Sequence, residues 1–190
     1  MSINLQKGQR VNIQTAQGAS VQKFRLGLGW DTNETDSGQD FDLDASAFIL
    51  GENGKVVSDQ HFVFYNNLKE PEGAVLHTGD NLTGEGDGDD EMIDIDFSKI
   101  NPAVKSINIV VTIHDATERS QNFGQVRNAF VRLYDPNTNE EYMKFDLSED
   151  FSTETAVEFG RVYLHNDNWK FEANGSGFSG GLQAFVDVYM

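Results

Sequence analysis

The chain reads as an all-β protein, a two-sheet antiparallel β-sandwich with long acidic loops. Three observations predict this. Apolar and polar residues alternate with period two through most of the chain, clusters of Asn, Asp and Gly interrupt the alternating runs, and no strong helical pattern precedes residue 180. The 190 residues contain no interdomain linker, and sandwiches often reach this length as one unit, so a single domain over 1–190 is expected.

The first clear strand is "FRLGLGWD", where Phe24, Leu26, Leu28 and Trp30 share a face. In "DFDLDASAFIL", Phe41, Leu43, Ala45, Ala47 and Ile49 fall on one side and Asp40, Asp42 and Asp44 on the other. Asn53-Gly54 is a strong hairpin signal, with "HFVFYNN" as the returning strand. "MIDIDF" sets Ile93, Ile95 and Phe97 opposite Asp94 and Asp96, and "SINIVVTIH" has the apolar content of a buried central strand. "NAFVRLYD", "EYMKFDL", "TAVEFGRVYL" and "WKFEA" follow, joined by turns such as "DPNTNE" and "HNDN". The tail "GLQAFVDVYM" fits two templates: Leu182, Ala184, Val186 and Val188 for a strand, or Leu182, Phe185, Val186 and Tyr189 for a helix face.

Fourteen basic residues against 31 acidic ones give a net charge of −17, which repels nucleic-acid phosphates and anionic lipid surfaces. The absence of cysteine excludes disulfides, thiolate metal sites and thiol redox chemistry, and leaves oxygen and a few imidazoles as metal ligands. The opening "MSINLQKGQRVNIQ" lacks the apolar run of a signal peptide and nothing later approaches a spanning helix, so a cytoplasmic protein without membrane insertion is expected.

Between His77 and Asp96 lie Asp80, Glu85, Asp87, Asp89, Asp90, Glu91, Asp94 and Asp96, with no lysine or arginine. Two carboxylates about 4 Å apart repel by roughly 4 kcal/mol at an effective dielectric near 20, so such crowding calls for water or a cation. Calcium takes about six to eight oxygen ligands, and Gly79, Gly84, Gly86 and Gly88 let the backbone curl its carbonyls inward between the acids. The spacing is not that of an EF-hand: counting from Asp87 puts Met92 where glycine is needed and Ser98 where the bidentate Glu belongs. A single "GEGDGDD" also falls short of the stacked repeats of a calcium-binding β-roll.

A second acidic region, Asp31 with Asp40, Asp42 and Asp44, lies in a stretch, 26–54, that also lacks basic residues. Carboxylates at i and i+2 on a strand are about 6.6 Å apart on one face, so Asp42 and Asp44 can lean onto one calcium. The charge logic brings the two regions together at one edge of the sandwich, while Asp94, Asp96, Glu34 and Asp36 read as solvated. Magnesium is the weaker rival, because it keeps more of its water.

Catalytic readings carry less weight. "GFSGG" matches a nucleophile elbow at Ser179, but no histidine follows it, and a Gly/Ser turn explains it. His114-Asp115 reads as a strand-end histidine bound to a neighbouring loop, and Arg119 or Arg127 as a partner for a spare carboxylate. A glycosidase pair needs an acid with a pKa raised by apolar burial, whereas these acids keep glycine-rich, watery company.

These blocks carry a resemblance. "LGLGWD" with "FDLDASAFIL", "FVFYNNL", "HTGDNLTGEGDGDDE", "VTIHDATERSQNFGQVRNAF" and "YDP…FDLSEDFSTETAVEFG" with "WKF" occur in the order of the TerD family of bacterial tellurite-resistance and stress proteins, which the chain resembles over nearly its whole length. The resemblance implies a sandwich that binds Ca2+, usually two ions, without known enzymatic chemistry. It carries over Asp31, Asp42 and Asp44 from the first block, and Asp80, Asn81, Gly84, Asp87, Asp89, Asp90 and Glu91 from the second, as the metal residues. "EYMKFDL" and the tail are less typical of the family. The expected function is a calcium-binding stress-response protein whose ions order its acidic loops into a surface for protein partners, including other members of the family. A calcium-dependent lipid- or carbohydrate-binding module is the alternative, ahead of a carboxylate-based hydrolase. Direct tellurite chemistry is not expected, since a chain of net charge −17 without cysteine neither attracts an oxyanion nor reduces it.

Overall fold

The computed structural model describes residues 2–15, 17–31, 39–79, 83, 88–147, 151 and 153–190. The strands are β1 (Ile3–Asn4), β2 (Arg10–Asn12), β3 (Lys23–Gly29), β4 (Leu43–Leu50), β5 (Phe62–Val63), β6 (Val75–His77), β7 (Glu91–Asp96), β8 (Ser106–Ile113), β9 (Phe130–Tyr134), β10 (Glu141–Asp146), β11 (Ala156–His165) and β12 (Asn168–Phe178). Among the described residues two α-helices accompany them, α1 (Ala116–Arg119) and α2 (Gly181–Tyr189).

Period-two alternation sorts these strands into two sheets. In the first, ordered β1-β10-β9-β3-β7-β6, Phe24, Leu26 and Leu28 of β3 and Ile93 and Ile95 of β7 are wholly buried against the second sheet. The second runs β2-β12-β11-β8-β4-β5, with the apolar β8 in its interior between β11 and β4. Phe41, Leu43, Ala45, Ala47 and Ile49, the side of β4 and its approach predicted to be apolar, all join the main core. Among the described residues pairing is antiparallel except at one edge, where β1 runs parallel to β10 through Ile3 and Asn4, a departure from the purely antiparallel expectation.

The Asn53-Gly54 turn forms: Gly54 takes φ +73° and the Gly51 N–H donates to Lys55 O at 2.8 Å. The returning strand is shorter than "HFVFYNN" suggests, because only Phe62 and Val63 pair with β4, and Phe64 folds back to bridge Asn67.

The tail is a helix. Its Leu182, Phe185, Val186 and Tyr189 face packs on Phe48, Leu50, Phe62 and Val110, on the side of the second sheet away from the main core. The outward side chains of β4 are apolar at Phe48 and Leu50, and α2 covers them.

Candidate metal centre

The sandwich brings several of the acids to one end. The N–H of Trp30, just past β3, donates to Asp90 Oδ2 at 3.0 Å, and the Trp30 indole donates to Phe41 O at 3.0 Å. The His114 N–H, just past β8, donates to Asp42 O at 2.8 Å, and the Asp31 N–H donates to Arg127 O at 3.0 Å. Asp31, Asp42, Asp44 and Asp90 therefore sit where the ends of β3, β4, β7, β8 and β9 meet. Gly79 and Gly88, which flank the acidic loop, lie at the same end, since the Thr78 N–H binds Met92 O and the Asp90 N–H binds Leu28 O. Asp80, Asn81, Gly84 and Asp87 fall outside the described residues.

Each of the other acids has a distinct setting. Asp31 is exposed and accepts from Asn128 Nδ2 at 2.6 Å. Asp42 and Asp44 are each only 4% exposed. Two basic side chains stand near them: Arg119 Nη2 is 3.8 Å from Asp42 Oδ2, and His114 Nδ1 is 3.5 Å from Asp44 Oδ2. Burial pushes the Asp90 carboxyl above the ordinary carboxylate range, the Trp30 N–H opposes this, and the charges of Asp89 and Asp31 add to the rise. A carboxyl raised in the folded state favours folding while protonated, so without a cation its contribution is lost as pH climbs above the unfolded value.

Asp89 and Glu91 point elsewhere. Asp89 lies on the outer face of the first sheet, where Arg132 Nε and Nη2 grip its two oxygens at 2.8 and 2.9 Å. The room for it comes from Gly27 in "LGLG", where a Cβ would collide with the Asp89 carboxylate. Glu91 is completely buried between the sheets, and its Oε2 accepts the Ala45 N–H at 2.7 Å on a stretch of β4 that β5 does not reach. His77 Nδ1 accepts from the Gly79 N–H at 3.2 Å, so Nε2 carries the ring proton and faces Glu91 Oε2 at 3.4 Å. Asp94 is gripped across the sheet by Arg25, Nε at 2.5 Å and Nη2 at 2.9 Å. Sequence reasoning missed Arg25, Arg132 and His77 as partners. The available signal was an arginine at an outward position of an otherwise amphipathic strand.

The donor chemistry of the end fits a hard cation, for it is built from carboxylates in a chain of net charge −17. It does not resemble a sugar platform: Trp30 is closed into the core and Trp169 stacks on Phe97 with centroids 4.8 Å apart. Ser179 lies between antiparallel β12 and α2, not on the parallel strand-to-helix turn of a nucleophile elbow.

Among similar proteins, General stress protein 16U of Bacillus subtilis (strain 168) is 51% identical over all of this chain and 97% of its own length. Tellurium resistance protein TerD of Serratia marcescens is 52% identical over all of this chain and 97% of its own length. The crystal structure of a homologue of telluride resistance protein (TerD), SCO6318 from Streptomyces coelicolor A3(2), superposes with a TM-score of 0.75 at 19% identity, covering 88% of this chain and 96% of that one, and shares the fold. The TerD domain model matches residues 1–189, and the chain belongs to the TerD domain family of tellurium-resistance and stress-response proteins.

Proposed function

We propose that this protein is a cytoplasmic, calcium-binding member of the family that acts by binding protein partners and catalyses no reaction. Asp31, Asp42, Asp44 and Asp90 would hold the ions together with Asp80, Asn81, Gly84 and Asp87. Asp89 and Glu91, engaged by Arg132 and by the Ala45 N–H, would stand outside the set that holds the ions. Bound calcium would supply the positive charge that lets these carboxylates stay ionised side by side.

The observation that carries this reading is the gathering of Asp31, Asp42, Asp44 and Asp90 at one end, where burial first, and then the charges of Asp89 and Asp31, disfavour an ionised Asp90. Two ions, as in the family reading, would use both acidic stretches. The ordered loops would then form a surface for protein partners, including relatives of the same family. An end this acidic favours partners bound through the metal or through basic side chains.

Calorimetric melting tests the proposal. Calcium at a hundredfold excess over Kd should stabilise the fold by about 2.7 kcal/mol, and EGTA should remove the gain. An unchanged melting temperature at millimolar calcium would reject it.

A further inference from the structure

A second cluster lies on the flank where edge strands β5 and β6 meet. His61 closes the short 3-10 turn Asp59–His61 ahead of β5, and Glu70 and Glu72 belong to the "EPEG" turn leading to β6. One nitrogen of His61 and one oxygen of each glutamate lie within 4.8 Å of one another. His61 is 4% exposed and Glu70 is 3% exposed, while the Glu72 side chain, at 32%, opens the cluster to solvent.

The three groups are held in place. Glu70 Oε1 accepts the N–H groups of Ala74 and Val75, and its Oε2 accepts the Glu72 N–H at 2.7 Å, which fixes the carboxylate in orientation. Glu72 Oε1 accepts from Asn101 Nδ2 at 2.7 Å, leaving Oε2 turned to the histidine. His61 Nδ1 is 2.8 Å from Ser58 Oγ. Its Nε2 is buried with no hydrogen-bond partner, although Glu72 Oε2 is only 3.2 Å away. The two atoms are close but not aligned as donor and acceptor. Two ligand atoms of a tetrahedral zinc site stand at about this separation, since bonds near 2.1 Å place them roughly 3.4 Å apart.

We infer that His61 Nε2, Glu70 Oε2 and Glu72 Oε2 form a site for a divalent transition-metal ion such as zinc, distinct from the calcium-type end of the sandwich. With Nδ1–H donated to Ser58 Oγ, the Nε2 lone pair is free to bind metal, the outer-shell arrangement that metal-binding histidines use. One imidazole and two carboxylates suit zinc or cobalt, whereas calcium takes oxygen alone. Water completes the coordination at the solvent side of Glu72. Because His61 precedes β5 at the edge of one sheet and the glutamates precede β6 at the edge of the other, the ion clips the two sheets along their open flank.

The test uses the full chain, stripped of metal and then saturated with calcium so that the oxygen sites are filled. Titration with Zn2+ should fill one further site, and Co2+ should give the visible absorption of a four-coordinate ion. Glu72→Gln, at a half-exposed position that leaves the core intact, should weaken zinc about 10- to 100-fold, whereas His165→Gln should not. In the unaltered protein, zinc should move the imidazole 15N resonances of His61. A His61 signal unmoved at zinc saturation, or equal zinc affinity in Glu72→Gln, would overturn the assignment.

Discussion

The outer face of the first sheet and the acidic end of the sandwich treat carboxylates in opposite ways. On the face, Asp89 and Asp94 are each gripped at both oxygens by an arginine, Arg132 and Arg25, at 2.5–2.9 Å. At the end, Arg119 and His114 stand 3.8 and 3.5 Å from Asp42 and Asp44, and the Asp90 carboxyl is pushed up by burial first and then by the charges of Asp89 and Asp31. The acids come from stretches of sequence equally poor in basic residues. Register makes the difference: β7 pairs with β3 and β3 with β9, so outward arginines of β3 and β9 reach acids on or beside β7. At the end the basic groups beside Asp42 and Asp44 stand farther off, and there an added cation has most to contribute.

Glu91 provides the largest expected effect. Glu91→Ala removes a wholly buried carboxylate that holds the Ala45 N–H and stands 3.4 Å from the His77 ring, so it should cost about 3–5 kcal/mol in urea unfolding. The loss should be the same in calcium and in EGTA, because this acid belongs to the interior. Next, Asp42→Asn with Asp44→Asn should abolish most of the calcium-linked gain of about 2.7 kcal/mol while changing the EGTA melting temperature little. A full calcium shift in that double variant would erase the distinction between end and face. Smaller again, Arg132→Ala should cost about 1–3 kcal/mol by leaving Asp89 over Gly27 without its fork, with calcium affinity by titration calorimetry unchanged. Asp94→Asn should cost about 1 kcal/mol or less, since its pair is partly open to solvent, and should weaken calcium less than Asp90→Asn does.

Strands with several alternating residues were legible. "FRLGLGWD" and "DFDLDASAFIL" show both their direction and their buried face, because one side of each meets the main core. Strands of two or three residues, such as β1, β2 and β6, leave no period to detect. The tail resisted because both templates fit its sequence; the decision came from Phe48 and Leu50, apolar side chains on the outer side of β4 that a helical face of α2 helps to cover. Within the site, the sequence groups Asp89, Asp90 and Glu91 as neighbours. The chain enters β7 at Glu91, so Asp89 and Asp90 precede the strand and escape its alternation, while Glu91 joins Ile93 and Ile95 inside. The arginine grips were hidden because Arg25 and Arg132 lie 69 and 43 residues from the acids they hold. His61, Glu70 and Glu72 likewise match no metal-ligand spacing and meet only through the two sheet edges.

The central claim is that calcium binds the acidic end and not the arginine-paired face. A calcium titration followed by backbone amide 1H–15N shifts tests it residue by residue. The account predicts saturable shifts concentrated at Asp31, Asp42, Asp44 and Asp90 and their loops, with Arg25, Asp94 and Arg132 nearly still. Shifts centred on the arginine-paired face, or no saturable shift at all, would contradict it.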